Sequence, residues 1–172
     1  MSEFVVRQAI PDDARQMAEV IAAGREQTYN MDPYSDYYRR MVTDWQGAAG
    51  ERTMTGYMNA NDGWEFIGVR PDAAVVTKAE SGDVVGVLST RNKAEHVDVD
   101  YVFVDPAEQG KGLGNLLMQN LTERAGGKRQ ELDVAAHNDR ARGLYEKFGF
   151  VAVGYPKPGQ VRFQKMIKPA AH

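Results

Sequence analysis

A glycine-rich segment in the second half of the chain has the residue types of an anion-binding turn. It runs Gln109-Gly110-Lys111-Gly112-Leu113-Gly114, between a β-rich run that ends at Val104 and an amphipathic helical pattern. Glycine lets the backbone approach a ligand closely, and the first turn of a helix offers unpaired amides with a partial positive charge. The segment therefore predicts a cradle for phosphate or pyrophosphate, although a turn whose glycines only permit tight packing would show the same letters.

Two other phosphate-binding motifs can be compared with this segment. A P-loop requires Gly-Lys-Ser/Thr after its four-residue spacer, and here Leu113 and Gly114 follow Gly112, so the motif fails. The dinucleotide fingerprint needs its third glycine at Asn115, which disfavours a dinucleotide-binding domain. That alternative stays open because Asp133 lies in the next predicted strand, at about the distance the fingerprint requires.

The elements that position this segment follow one another as strand, two helices, three strands, helix, strand, helix and two strands. The predicted strands cover residues 4–9, 73–79, 83–89, 96–104, 130–136, 150–155 and 161–167, and the predicted helices begin at Pro11 and cover parts of 33–58, 112–125 and 138–148. Residues 59–72 give no clear pattern. This order predicts an α/β (α+β) fold, in which a mixed sheet carries helices on both faces.

The strand predicted for residues 96–104 contains two carboxylates, Asp98 and Asp100, two positions apart. Successive strand side chains point to opposite faces, so the two carboxylates are predicted to share one face. On the other face the alternation predicts four apolar side chains: Val97, Val99, Tyr101 and Phe103. Charged residues on a strand commonly only face water, and the spacing alone leaves that interpretation open.

Two motifs taken together resemble the GNAT superfamily of acyl-CoA N-acetyltransferases. The family's coenzyme A loop has the form Gln/Arg-x-x-Gly-x-Gly/Ala, which Gln109, Gly112 and Gly114 match. At the family's usual distance follows a second signature, from Asn138 through Ala141-x-x-Leu-Tyr-Glu-Lys-Phe-Gly-Phe to Phe150. The resemblance covers the C-terminal half, extends to residues 4–21 and is weak over 29–72. It implies one N-acetyltransferase domain over residues 1–172, with a mostly antiparallel sheet.

The resemblance also implies a set of residues that hold the coenzyme. Backbone groups of Phe103 and Val104 pair with the pantetheine arm as an added strand would, and an amide near Val104 stabilises the oxyanion. Asn138 contacts the same arm, although a helix N-cap would by itself explain an asparagine there. The implied coenzyme-binding set is Phe103, Val104, Gln109, Gly110, Lys111, Gly112, Leu113, Gly114, Asn115 and Asn138.

Acyl transfer to an amine needs a proton acceptor for the amine and a proton for the departing thiolate. An alkyl ammonium has a pKa near ~10.4, so a carboxylate must help remove its proton at neutral pH. The resemblance assigns this role to Asp98, with Asp100 two residues nearer the reaction centre unless a bulge, common in this strand of the family, changes the parity. Many members carry Glu there, and the shorter Asp favours a water relay. Tyr145 is the implied general acid; without the resemblance it would be a core aromatic residue.

Composition bounds the remaining properties. The 172 residues contain no cysteine, which excludes disulfides, thiolate zinc sites and cysteine nucleophiles. A net charge of −3 gives no basic footprint for nucleic acid, and no apolar run is long enough to span a membrane. The N-terminus lacks the pattern of a signal peptide, so a cytoplasmic location is expected. Isolated His96 and His137 indicate no metal.

The acceptor is predicted only as an amine of a small molecule or peptide, with acetyl-CoA as co-substrate. Aromatic residues could wall an amine pocket or simply pack, namely Tyr29, Tyr34, Tyr37, Tyr38 and Trp64. A non-catalytic acyl-CoA-binding or sensor domain is the alternative function. A homodimer is compatible with the sequence without being indicated by it.

Overall fold

The computed structural model describes residues 2–30, 42–59, 70–155 and 163–171, and these contain seven strands and four α-helices. The strands are β1 (Phe4–Gln8), β2 (Arg70–Lys78), β3 (Val84–Asn92), β4 (His96–Val104), β5 (Arg129–Ala135), β6 (Val151–Gly154) and β7 (Phe163–Lys168). The helices are α1 (Ala14–Asn30), α2 (Gly47–Asn59), α3 (Leu113–Ala125) and α4 (Asp139–Lys147). The predicted element order is confirmed, and none of these helices is long and apolar enough to cross a membrane.

All seven strands join one sheet in the order β1-β2-β3-β4-β5-β7-β6. Every neighbouring pair is antiparallel except β4 and β5, which run parallel from His96 opposite Arg129 to Val99 opposite Leu132. The last strand in the chain, β7, inserts between β5 and β6. The sheet is therefore mixed and mostly antiparallel, as predicted.

Helices cover both faces of the sheet and divide the core into two layers. On one face α1 buries the predicted stripe of Ala14, Met17, Ala18 and Ile21, together with Met54 of α2. On the other face α3 and α4 cover a second apolar cluster, whose α3 members include Leu113, Leu117, Met118 and Leu121. Burial of these stripes holds the sheet between the helices and fixes the helix ends that carry the site.

A bulge in β4 changes the predicted alternation of that strand. Ser89 of β3 pairs with Tyr101 and Thr90 pairs with Val99, so Asp100 is left without a partner opposite it. As a result Val97 and Val99 lie in the α3 and α4 layer, whereas Tyr101 and Phe103 pack into the α1 and α2 layer. The prediction that these four apolar residues share one face was wrong, because strict alternation assumes an unbroken ladder.

The two parallel strands separate beyond Val99. Their register ends at the Val99–Leu132 pair, although β4 continues to Val104 and β5 continues to Ala135. From this point the facing edges of β4 and β5 no longer bond to each other. The sheet therefore contains a wedge-shaped gap that opens toward the glycine-rich segment, and this gap is the framework of the candidate site.

Candidate active site

A cavity of about 770 Å³ occupies the gap between β4 and β5. Its walls come from α1, both strands, the glycine-rich segment and α4, so elements from distant parts of the sequence meet there. Such a volume lies in the range of pockets that bind cofactors and other small molecules. Among the predicted site residues, the lining includes Asp100, Phe103, Val104, Gln109, Gly110, Gly112, Leu113, Gly114, Asn115, Asn138 and Tyr145.

The glycine-rich segment presents a row of unpaired backbone amides at one end of the cavity. No acceptor for the amides of residues 110–115 is found among the residues that the structure describes; the first bonded amide after them is Leu116 N, to Gly112 O at 3.2 Å. Helix α3 begins directly after Gly112, so the positive end of its dipole points the same way. This arrangement fits a pyrophosphate, as predicted from the sequence.

Glycine is required at specific positions of the segment. Gly110 and Gly112 have φ values of +82° and +80°, in the left-handed region that other residues rarely adopt. A Cβ on Gly114 would stand 3.0 Å from Leu144 Cδ2, so the third glycine allows α3 to approach α4. Two of the glycines therefore shape the turn and the third permits packing, and together they leave the amide row open.

Side chains around the segment are tied to one another. Gln109 exchanges two hydrogen bonds with Gln27 of α1, at 2.7 and 3.1 Å, and its Oε1 also accepts from Arg140 Nη1 at 2.6 Å. Lys111 is held instead by Glu108, with Nζ 2.7 Å from Oε2, and its side chain does not line the cavity. The predicted contribution of Lys111 is therefore restricted to its amide in this arrangement.

The backbone of β4 presents alternate residues to the gap. The amide of Asp105 donates to Val85 O on β3 at 2.8 Å, and antiparallel alternation then turns the amide of Phe103 toward β3 as well. The amides of Val102 and Val104 consequently face the gap. The Val104 amide is therefore available for the predicted backbone role, which stays a prediction, whereas Phe103 meets the cavity through its ring, which packs under Gly24 of α1.

Helix α4 supplies two of the predicted residues. Asn138 is its N-cap, because its side-chain oxygen accepts from Ala141 N at 3.1 Å, and it lines the cavity at the same time. Tyr145 is 7% exposed and packs beside Phe150, with ring centroids 6.0 Å apart. Burial raises the pKa of the Tyr145 phenol, and no described residue forms a hydrogen bond to its hydroxyl. The phenol is thus a protonated, unengaged donor in the cavity wall.

The two carboxylates predicted on β4 share a face but differ in position. Both contact Arg91 of β3, at 2.8 Å from Asp100 and 3.6 Å from Asp98. Asp98 does not line the cavity; it contacts Lys93 at 2.5 Å and His96 at 3.0 Å. Burial disfavours the charge of Asp98, but the hydrogen bond from Lys93 and the nearby cations outweigh it and lower the pKa of the carboxyl.

Asp100 lines the cavity, yet both of its oxygens are engaged. Arg91 Nε donates to Oδ2 at 2.8 Å and Nη2 donates to Oδ1 at 2.9 Å. The hydroxyl of Tyr57 on α2 adds a third hydrogen bond to Oδ2 at 3.1 Å. These three donors occupy both carboxylate oxygens, so Asp100 is held in place by its neighbours.

Asp133 of β5 is a cavity carboxylate that the sequence did not single out for this role. It lies just beyond the Val99–Leu132 pair, where the strands separate, and no described residue forms a hydrogen bond or ion pair with it. The Asp133 side chain is exposed to the cavity; its partial desolvation there raises the pKa of the carboxyl, and the charges of Asp98, Glu131 and Asp100 raise it further against the opposing effect of Lys165. The available signal was its alternation with Leu132 and Val134, which places it on the opposite face from two buried residues.

The structure does not describe the aromatic side chains that were predicted to wall an amine pocket. The aromatic residues predicted to wall an amine pocket fall on positions 34, 37, 38 and 64, outside the described residues, and nothing is described of the Tyr29 side chain.

His96, to which no role was assigned, lies with Asp98 and Glu131 in a group whose ligand atoms are within 4.8 Å of one another. Basic side chains already pair with both carboxylates: Lys93 with Asp98, and Lys165 with Glu131 at 3.1 Å.

Known proteins with similar sequences include two N-acetyltransferases. N-alpha-acetyltransferase RimI of Mycobacterium tuberculosis is 42% identical over 57 residues, which are 33% of this chain and only 36% of that relative. The 5-NmdU N-acetyltransferase of Pseudomonas phage PaMx11 is 22% identical over 159 residues, covering 91% of this chain and 94% of that relative.

Solved structures share the fold at low identity. The PaiA N-acetyltransferase from Thermoplasma acidophilum, in complex with coenzyme A, superimposes with a TM-score of 0.76 at 15% identity, over 98% of this chain and 99% of that one. The ribosomal-protein-S18-alanine N-acetyltransferase from Escherichia coli gives 0.67 at 18% identity, over 98% and 95% of the two chains.

The model of the acetyltransferase (GNAT) family matches residues 26–150. This stretch contains both strands of the gap, the whole amide row and the helix that carries Tyr145. The predicted resemblance is therefore confirmed: the chain belongs to the GNAT acetyltransferase family.

Proposed function

We propose that this protein transfers an acetyl group from acetyl-CoA to a primary amine of a small molecule or peptide, by direct attack while both substrates are bound. The free amides of residues 110–115 carry the proposal, because they stand at the mouth of a gap that leads to Tyr145 and Asp133. The names of the four relatives reported above describe N-acetyl transfer, but the acceptors they name differ, so no acceptor is carried over. We further propose that residues 1–172 act as one domain; the cytoplasmic location stays a prediction.

The residues present fit the coenzyme in three respects. The amide row at the start of α3 suits the pyrophosphate, the unpaired β4 edge at Val102 and Val104 suits the amides of a pantetheine arm, and the cavity is large enough for both. When bound, acetyl-CoA supplies a thioester that is activated toward an amine. One of the Val102 and Val104 amides, both of which face the gap, would donate to the carbonyl oxygen as it gains negative charge, and the other would remain for the pantetheine arm; one such donor is typically worth ~2.7–4 kcal/mol.

We assign the proton-accepting role to Asp133, directly or through a water molecule. The two carboxylates proposed from the sequence are less suited, since Asp98 lies outside the cavity lining and Asp100 is engaged by Arg91 and Tyr57. Asp133 has no such partner among the described residues, and its raised pKa makes it a better base than an ordinary aspartate. It first takes a proton from the bound ammonium and passes it to solvent, and then takes the second proton that the nitrogen loses as the new N–C bond forms.

Tyr145 is proposed to return a proton to the departing sulfur when the C–S bond breaks. Its hydroxyl is unengaged by the described residues, and burial keeps it protonated across the neutral range. A hydrogen bond from this phenol stabilises a thiolate, whose own pKa is near ~8.5 if cysteine is the guide. The proton balance is closed when Asp133 releases its proton to solvent and Tyr145 is reprotonated.

The absence of cysteine makes a simple test possible. A thiol reagent added to the purified protein, acetyl-CoA and a panel of primary amines reports only the thiol of released coenzyme A, because the chain has no thiol of its own. Amine-dependent thiol release, with the acetylated amine identified by mass spectrometry, is the expected result. Tight binding of coenzyme A in calorimetry without thiol release for any amine would instead support the non-catalytic binding domain. No binding at all would remove the site assignment.

A further inference from the structure

Arg25 of α1 stands in the cavity wall, enclosed by aromatic rings. Its guanidinium carbon lies 5.5 Å from the ring centroid of Trp45, 5.6 Å from that of Tyr101 and 6.0 Å from that of Phe103. Ring faces attract a cation and hold the side chain in place, but they are poor substitutes for hydrogen-bond acceptors. The rings therefore orient Arg25 without neutralising it.

No anionic group of the described residues pairs with Arg25. Its Nε is buried and has no hydrogen-bond partner, in contrast to Arg7 and Arg91, which are paired with Asp13 and Asp100. An unpaired guanidinium in a partly desolvated wall is unfavourable unless a ligand supplies the missing charge. Its planar donors match a carboxylate or a phosphate.

The position of Arg25 along the gap distinguishes these two anions. Two residues further along α1, Gln27 bonds to Gln109 at the end of the cavity where the amide row lies. Arg25 instead contacts Tyr101, which is adjacent to the bulge at Asp100, where β4 and β5 begin to separate. The coenzyme phosphates belong to the amide end, so the anion for Arg25 belongs to the second substrate.

We propose that Arg25 binds the carboxylate of an amino acid acceptor and directs its amine toward Asp133. This proposal rests on the proposed transferase function and narrows its substrate to free amino acids. Arg25 and Asp133 line the same cavity with opposite charges and without partners of their own among the described residues. A zwitterion carries the complementary pair of charges, whereas a simple alkylamine leaves Arg25 unmatched.

The direct test is calorimetric binding of acceptor candidates to the protein saturated with coenzyme A. The candidates are the common amino acids, each compared with its carboxamide and with the amine that lacks the carboxyl group. We expect at least one amino acid to bind, and its two derivatives to bind about tenfold to a hundredfold more weakly, as expected for loss of a charge-assisted hydrogen bond. Arg25→Gln should remove this preference, and Arg25→Lys should restore only part of it.

Arg15→Gln is the matched control, because Arg15 lies exposed on the same helix outside the cavity lining. It makes the same change in net charge and should leave both the affinity and the preference intact. Equal binding of an amino acid and its carboxamide, undiminished binding to Arg25→Gln, or no binding of any amino acid would overturn the proposal.

Failure of this proposal can be distinguished from failure of the proposed function. Binding is measured without turnover, so the carboxylate preference can be established even if no transfer occurs. Conversely, thiol release that is as fast with simple alkylamines as with any amino acid would support the transferase function while rejecting the amino acid acceptor. Preferred binding of a peptide amino terminus, which lacks the adjacent carboxylate, would do the same.

Discussion

Arg91 of β3 donates a hydrogen bond to each carboxylate oxygen of Asp100 on β4, from Nε to Oδ2 at 2.8 Å and from Nη2 to Oδ1 at 2.9 Å. The pair spans the bulge in β4, at the level where β4 and β5 separate. Because the carboxylate is fully engaged, Asp100 is suited to holding the bulge in shape. Asp133, one strand away, has no hydrogen-bond or ion-pair partner among the described residues.

Asp100→Asn and Asp133→Asn should therefore have opposite consequences. Asp100→Asn should lower the free energy of unfolding by about 1–2 kcal/mol, because Arg91 loses its charge-assisted partner, and should lower kcat less than tenfold. Asp133→Asn should lower kcat about a hundredfold or more, as expected for loss of a general base. Urea denaturation and thiol-release kinetics measure the two effects. A larger kcat loss in Asp100→Asn than in Asp133→Asn would indicate that Asp100 of β4, and not Asp133, is the general base.

The ionisation of Asp133 should also make the stability of the folded protein depend on pH. The raised pKa of Asp133 means that the folded protein binds this proton more tightly than the unfolded chain does. Its contribution to stability is therefore present below the unfolded value of ~3.9 and is lost as pH rises through the raised folded pKa. At pH 7 Asp133→Asn should be as stable as the native protein or more stable, with the difference shrinking in acid.

Ionisation of Asp133 should raise kcat, whereas the same ionisation removes its contribution to stability. Because Asp133 must be ionised to accept a proton, kcat should rise with pH through a midpoint above ~3.9, and this limb should be absent in Asp133→Asn. An unchanged acid limb in the variant would assign the ionisation to another group.

Gly112→Glu should abolish coenzyme A binding while the protein remains folded. Gly112 has φ +80° and nothing within 4 Å of an added Cβ, so the cost to folding is the left-handed backbone alone, about 1–2 kcal/mol. The added carboxylate opposes the phosphates at the amide row. Gly82→Glu is the matched control: it shares the left-handed φ, +78°, and the open surroundings, but lies in the turn between β2 and β3. It should lose similar stability and retain affinity in calorimetry.

Tyr145→Phe should separate catalysis from binding. Removing the phenol should lower kcat by about a hundredfold or more while the coenzyme A dissociation constant stays within about threefold. Because no described residue bonds to the hydroxyl, its loss should not lower the free energy of unfolding. A destabilised variant with normal kcat would identify Tyr145 as a core residue.

Tyr57→Phe should lower the stability of the protein, in contrast to Tyr145→Phe. The single proton of the Tyr57 hydroxyl is shared between Thr90 O at 2.6 Å and Asp100 Oδ2 at 3.1 Å, beside the bulge. Its removal should lower the free energy of unfolding by about 1–2 kcal/mol, measured by urea denaturation. Tyr155, which is 58% exposed, offers the control Tyr155→Phe, for which the change should stay within about 0.5 kcal/mol.

The sequence predicted the element order and the coenzyme segment because both depend on short-range signals. Apolar spacing marked α1, Gly126 ended α3 with a left-handed cap at φ +57°, and Asn138 capped α4. The alternation of β4 failed at Asp100, because a bulge arises from the pairing of two strands and neither strand shows it alone.

By itself, then, the sequence determined the family, the order of the elements and the glycine turn whose dihedral angles need no side chain. Tertiary structure decided which charged groups meet. Pairing of β4 with β5 placed Asp133 beside the gap, pairing of β3 with β4 engaged Asp100, and packing of α1 on β4 brought Arg25 over Tyr101. The ability of a carboxylate or a guanidinium to act depends on neighbours that are distant in the chain, and only the folded arrangement assigns those neighbours.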